Sequence, residues 1–365
     1  MNTSTAFVRQ MSVKTAVFAL LSISATLASA QSIFPLLPGS VSTVPSNGDV
    51  NPYGVAFVPK TVPPGGVLHP GDILVSNFNN SQNLQGTGTT ILRVDSGGNT
   101  STFFTAPAGQ PGLTAALGIL SNGIVLIGNL PTADGTSATV QPGKLSVVDR
   151  NGTFLGTFGT LATVDGPWGM AVYDDGNGVA GHSHIFLSNV LSGVVSRFDI
   201  IYNATQISAT ATVIAEGFNH RLDPAALVLG PSGLALELAN DTLYVASSAD
   251  NAVYAIPTAG VAQSPVAQTL FFQDFVHLHG PLDLAFLPNG HLLVADSDGS
   301  NVDPNQPSEL VEYSATGQFI AQMSVDPNNG GAFGLAVSTL APNILRLAAV
   351  DDNKNSLDIW TALLP

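Results

Sequence analysis

PYGVAF at 52–57, LTAALG at 113–118, PWGMAV at 167–172, PSGLAL at 231–236, PLDLAF at 281–286 and AFGLAV at 332–337 are six copies of one phrase. Their alanines, Ala56, Ala116, Ala171, Ala235, Ala285 and Ala336, recur at intervals of 60, 55, 64, 50 and 51 residues. That spacing belongs to propeller blades rather than to helical solenoids. After each copy comes a turn and then a β-rich run ending on a small polar residue: DILVSN, GIVLIGN, HIFLSN, DTLYVASS, HLLVAD and LRLAAVD. Each repeat parses into four strands. In the first these are GVAFVP, DILVSN, TILRVD and STFFTA, separated by the Gly, Pro, Asn and Asp of turns.

The pattern predicts an all-β fold, a six-bladed β-propeller of four-stranded antiparallel blades, because radial repetition leaves few free strand edges. Repeats start near 52, 112, 167, 231, 281 and 332. The last offers only three strands, near 332–338, 344–351 and 356–362, before Pro365. The segment Gly39 to Val44, about 39–45, is expected to supply the missing outer strand and close the ring. Residues 31–365 then form one domain.

The N-terminus reads as an export signal. Arg9 and Lys14 precede the apolar run Ala16 to Leu27, and Ala28-Ser29-Ala30 offers a cleavage site before Gln31. The run is shorter than the ~20 apolar residues of a membrane span. A signal peptide over 1–30 makes the expected protein secreted or periplasmic. Its mature part carries 8 Lys+Arg against 25 Asp+Glu, a net charge of −17. Such a balance argues against nucleic acid as a partner. With no cysteine in the chain, disulfides, thiolate catalysis and Cys-ligated metals are excluded.

The phrase P-x-G-hydrophobic-A, followed by a run ending in Asp, Ser or Asn, resembles the NHL-repeat family and, more broadly, the six-bladed propellers. These include gluconolactonase/senescence-marker-type lactonases, peptidyl-hydroxyglycine lyases and streptogramin lyases. The resemblance covers all six repeats and speaks to fold more than to chemistry. In the lactonase-type relatives it implies metal-binding Asn and Asp in the slot before the repeated Gly, with a Glu from the first blade. This chain has Tyr53, Leu113, Trp168, Ser232, Leu282 and Phe333 in that slot, and its first blade has no Glu.

Two rings of residues face the central funnel in this reading. Tyr53, Trp168 and Phe333 form either an aromatic rim for an apolar or sugar-like ligand or packing between blades. Asn77, Asn129, Asn189, Ser247, Asp296 and Asp351 end the second strands, where they either meet a ligand or bond neighbouring backbone. His277-x-His279 precedes the first strand of blade five, whereas His182-x-His184, His69 and His291 fall toward the opposite face. His279, Asp296 and Asp351 are the candidates for catalysis. The loop from Asp296 through Asp298, Asn301 and Asp303 has the alternating oxygen ligands that calcium takes. Two functions follow. One is a binding module acting on a protein or small ligand through the funnel face; the other is a lactonase-like hydrolase or lyase with a funnel-bound divalent cation.

Overall fold

A computed structural model describes residues 1, 32–34, 37–203, 207–297, 302 and 307–363. The expected signal segment beyond Met1, and Asp298, Asn301 and Asp303 of the acidic loop, lie outside the described residues. Contacts divide the chain into two compact units, Met1–Ala30 and Gln31–Pro365, and the second is described here. Among the described residues, no helix is long and apolar enough to cross a membrane.

Six four-stranded antiparallel sheets make up the second unit. Their first strands are Val50–Phe57, Leu113–Ile119, Pro167–Asp174, Pro231–Glu237, Pro281–Phe286 and Ala332–Ala341. These inner strands neighbour one another in a closed ring, first against last included. The second strands are Ile73–Asn79, Val125–Asn129, Gly181–Asn189, Thr242–Ser247, Leu292–Asp296 and Ile344–Asp351. In the last blade the outer strand is Gly39–Ser42, pairing antiparallel with Ser356–Leu363, with Val41 opposite Leu357. The ring is closed by the N-terminal strand, as the repeat count required.

Each blade is sandwiched between two others, so both faces of its middle strands are apolar. In ILVSN, Ile73 and Val75 pack toward blade six while Leu74 packs toward blade two. Period-two alternation thus distributes one run of apolar residues between two cores. Six such cores, one per blade junction, carry the hydrophobic stabilisation.

The repeated phrase has its explanation at the axis. In every blade the pairing of first and second strands shifts register within it, as between Pro167 and Met170 or Ala332 and Leu335. This bulge brings the inner strand against the next blade's backbone. A Cβ on Gly169 would meet the carbonyl oxygen of Ser232, and one on Gly334 the carbonyl oxygen of Tyr53. Small hydroxyls bridge the same junctions. Ser76 Oγ donates to Thr114 O (2.8 Å), Thr114 Oγ1 to Pro167 O (2.7 Å), Ser188 Oγ to Ser232 O (2.6 Å) and Ser232 Oγ to Pro281 O (2.7 Å). Blade five departs from this pattern. Its phrase has Asp283 where most copies have Gly, and Asp283 Oδ2 accepts from Leu335 N of blade six (2.9 Å).

If the closing strand holds the ring, Val41→Asp should cost about 1 kcal/mol by removing a half-buried valine packed against the core between blades six and one. The matching substitution Val44→Asp, at an exposed position, should cost little. Urea denaturation of the two variants measures the difference.

Candidate functional site

One mouth of the central channel holds a cavity of about 290 Å³. Its lining includes Tyr53, Trp168 and Phe333, so the structure brings the three aromatic residues of the slot together. Tyr53 stacks on Phe333 with ring centroids 4.5 Å apart, and Trp168 meets Tyr53 edge-on at 5.6 Å. They belong to one apolar cluster with Phe78, Leu130 and Val190. The aromatic residues are therefore at once packing and cavity wall. Leu282 also lines the cavity, while Leu113 and Ser232 do not.

A hairpin covers part of this mouth. Arg221–Asp223 pairs with Leu227–Leu229 between blades three and four, inside the 64-residue interval that is the longest in the repeat. Ala225, Ala226, Val228 and Leu229 line the cavity, and Ala225 O accepts a hydrogen bond from Gln85 Nε2 (3.3 Å). Leu227 has φ +65°, a left-handed conformation costing a leucine roughly 1–2 kcal/mol. Burial of its side chain in the aromatic cluster offsets that strain.

The polar lining is rich in amides: Asn51, Asn79, Asn83, Gln85, Asn329 and Asn353. Asn51 Oδ1 and Asn79 Oδ1 are buried acceptors without a partner among the described residues. Asn79 spends its amide nitrogen on Asn83 Oδ1 (2.7 Å), which leaves the carbonyl oxygen to receive a donor. Both oxygens are closed off from solvent, so they lie behind the cavity surface rather than on it.

Asp352 is the one carboxyl among the described lining residues. Desolvation, reinforced by the neighbouring Asp351, pushes it up to about 8. Tyr53 is displaced upward too, by burial first and then by Asp352, so its phenol stays protonated and able to donate.

The residues expected to end the second strands have other occupations, and in blade one the strand runs on past Asn77 to Asn79. Asn77 Nδ2 donates to Thr43 O (3.0 Å) and Asn129 Nδ2 to Pro111 O (2.9 Å). Asn189 Nδ2 donates to Thr163 O (3.1 Å), while Asp296 Oδ2 accepts from the His279 backbone N–H (2.8 Å). Asp351 takes the Lys354 ammonium at 2.8 Å. In each of the first four cases the bond fastens the loop that enters the blade. None of the six, nor His279, lines the cavity. The lining falls one or two residues further on, at Asn79, Ser248, Ser297 and Asp352. Of the loop's four candidate cation ligands, Asp296 alone is among the described residues.

A six-bladed propeller with an aromatic-floored, amide-rimmed cavity at one mouth is the class of molecule these features define. No protein-family model matches the sequence, and no curated protein matches it. Solved structures do share the fold. A gluconolactonase from Xanthomonas campestris aligns over 92% of this chain and 99% of its own, at 12% identity and a TM-score of 0.54. A regucalcin from Agrobacterium tumefaciens, a calcium-binding protein, aligns over 90% of this chain and 95% of its own, at 14% identity and a TM-score of 0.50. The chain therefore has the gluconolactonase-type propeller fold.

Two buried carboxyls should make stability depend on pH. Asp283, fully buried in the shaft, is pushed by desolvation up to about 7, and Asp352 to about 8. A carboxyl raised above its unfolded value stabilises the fold fully below about pH 4 and loses that contribution as pH rises through the folded value. Between pH 5 and 8.5 each group should lower stability by at most about 1.4 kcal/mol per pH unit. Urea midpoints at pH 5, 7 and 8.5 should fall, and Asp283→Asn should flatten the slope without abolishing the fold.

Proposed function

We propose that this protein is exported and opens the ring of a small polyhydroxylated lactone in its funnel cavity, with Asp352 as the acid–base group. The single observation carrying the reading is Asp352: a lone carboxyl raised to about 8, set among amides above a stacked aromatic floor. A sugar-like ring fits that lining. Its hydroxyls suit the lining amides of Asn83, Gln85 and Asn329, and its apolar face suits the aromatic floor. The fold shared with a gluconolactonase points to the same substrate class.

In hydrolysis, the ionised Asp352 takes a proton from water as the water oxygen attacks the lactone carbonyl carbon. The ring C–O bond then breaks, and the same proton passes to the departing alkoxide to give the hydroxy acid. A carboxylate whose pKa is near 8 is a far better base than an ordinary one, and it operates close to its own pKa at neutral pH. The Tyr53 phenol is a donor for a developing oxyanion, and Asn83 and Asn329 supply further amide N–H groups in the lining.

The donor set does not match the divalent-metal site that the resemblance implies. That set has an Asp and a Glu beside an Asn, whereas the described lining here has one carboxyl, and its environment favours the neutral form. Cation affinity for oxygen sites follows ligand charge. For calcium the sequence offers Asp296, Asp298, Asn301 and Asp303, whose alternating oxygen groups suit that ion.

A panel of γ- and δ-sugar lactones, assayed with and without EDTA, tests the proposal. Turnover should resist EDTA, and kcat/KM should rise with pH through an apparent pKa near 8. Asp352→Asn should lower it ~10²–10⁴-fold. Tyr53→Ala should weaken substrate binding and lower kcat as well, because it removes a ring of the floor together with an oxyanion donor. Ligand binding without turnover would return the protein to a pure binding module, and turnover abolished by EDTA would restore the metal-dependent reading.

A further inference from the structure

A second constellation lies on blade three, away from the funnel. His182 and His184 alternate along the second strand, so their rings share one face of the blade. Asp199, on the adjacent strand, stands directly opposite His184 in the ladder. The rings meet edge-to-face at 4.6 Å, and His184 Nδ1 lies 2.6 Å from Asp199 Oδ1. One ligand atom from each of the three residues falls within 4.8 Å of the other two. Five residues of extended chain, ~17 Å, separate His184 from Asn189 at the funnel end of the strand.

From this geometry we infer a binding site for a borderline divalent transition metal, of the zinc or copper(II) class, formed by His182, His184 and Asp199. Two imidazoles and one carboxylate select such ions over calcium, which takes oxygen ligands. Three protein ligands leave a position for water. In the metal-free arrangement a proton bridges His184 and Asp199, and the ion takes its place. Binding requires the donors, already within 4.8 Å of one another, to settle at the separations that bonds of 2.0–2.2 Å set.

The frame around the site is built to hold its anion. Arg197, itself buried, grips Asp199 through Nε (2.9 Å) and Nη2 (3.0 Å). Its remaining arm donates to Ala259 O and Ala262 O of blade four, both at 2.9 Å. The guanidinium thus keeps the carboxylate ionised and fixed, although its charge also lowers affinity for a cation. Tyr173 stacks on His184 from the inner strand, and Asp175 Oδ1 accepts the backbone N–H of His182. Three other histidines, His69, His277 and His291, each lie beside an acid. Among the described residues only the His184 pair has a second imidazole within reach, which separates a chelating site from an ordinary histidine–carboxylate bond.

Isothermal titration of the EDTA-stripped full chain with zinc tests the site. The expected result is one saturable zinc per chain, unchanged in His277→Ala and weakened at least ~10-fold in His182→Ala. His182 is partly exposed, and a thermal melt verifies that its variant folds; His182→Asn replaces it if not. Electron paramagnetic resonance of the copper(II) form should show coupling to two imidazole nitrogens, reduced to one in the His182 variant. No stoichiometric zinc, or equal binding with and without His182, would overturn the inference.

Discussion

The backbones of the six inner strands approach one another too closely to admit a side chain at most junctions of the ring. Everything else in the molecule is arranged around that constraint. It explains the Gly of the repeated phrase, since a Cβ on Gly169 or Gly334 would run into the next blade's carbonyl. Short polar side chains, Ser76, Thr114, Ser188 and Ser232, with Asp283 in blade five, make the bridges across these close approaches. The funnel cavity exists because the strands diverge from this narrow shaft, and the slot residues just before the Gly are the first with room for a large ring.

The architecture was legible in the sequence because this constraint repeats. Six blades, their first strands and the closing segment Gly39–Ser42 all follow from a glycine and an alanine at near-constant spacing. The aromatic floor was legible for the same reason, since Tyr53, Trp168 and Phe333 hold one position of the phrase. What surrounds the floor was not. Asp351 and Asp352 look alike as letters, yet one is neutralised by Lys354 and the other lines the cavity. The difference lies in where the strand ends and the chain turns, a matter of one residue that composition does not encode. The hairpin at Arg221–Leu229 escaped because its strands are three residues long and its turn places a leucine at positive φ.

The histidine pair on blade three illustrates a different limit. Spacing placed His182 and His184 on one side of a strand, but it was the register with Val194–Tyr202 that put Asp199 opposite His184. Pairing partners across a sheet depend on turn length and bulges, which short motifs do not reveal.

The functional reading depends on one carboxyl titrating well above the ordinary carboxyl range, so that it serves as a strong base near neutral pH. Carbon-13 NMR of protein labelled at aspartate side chains, with the Asp352 signal assigned by its loss in Asp352→Asn, measures this without a substrate. The structure predicts a titration midpoint near 8. A midpoint near the ordinary ~4 would contradict it, leaving the cavity a binding site with no acid–base group matched to neutral pH.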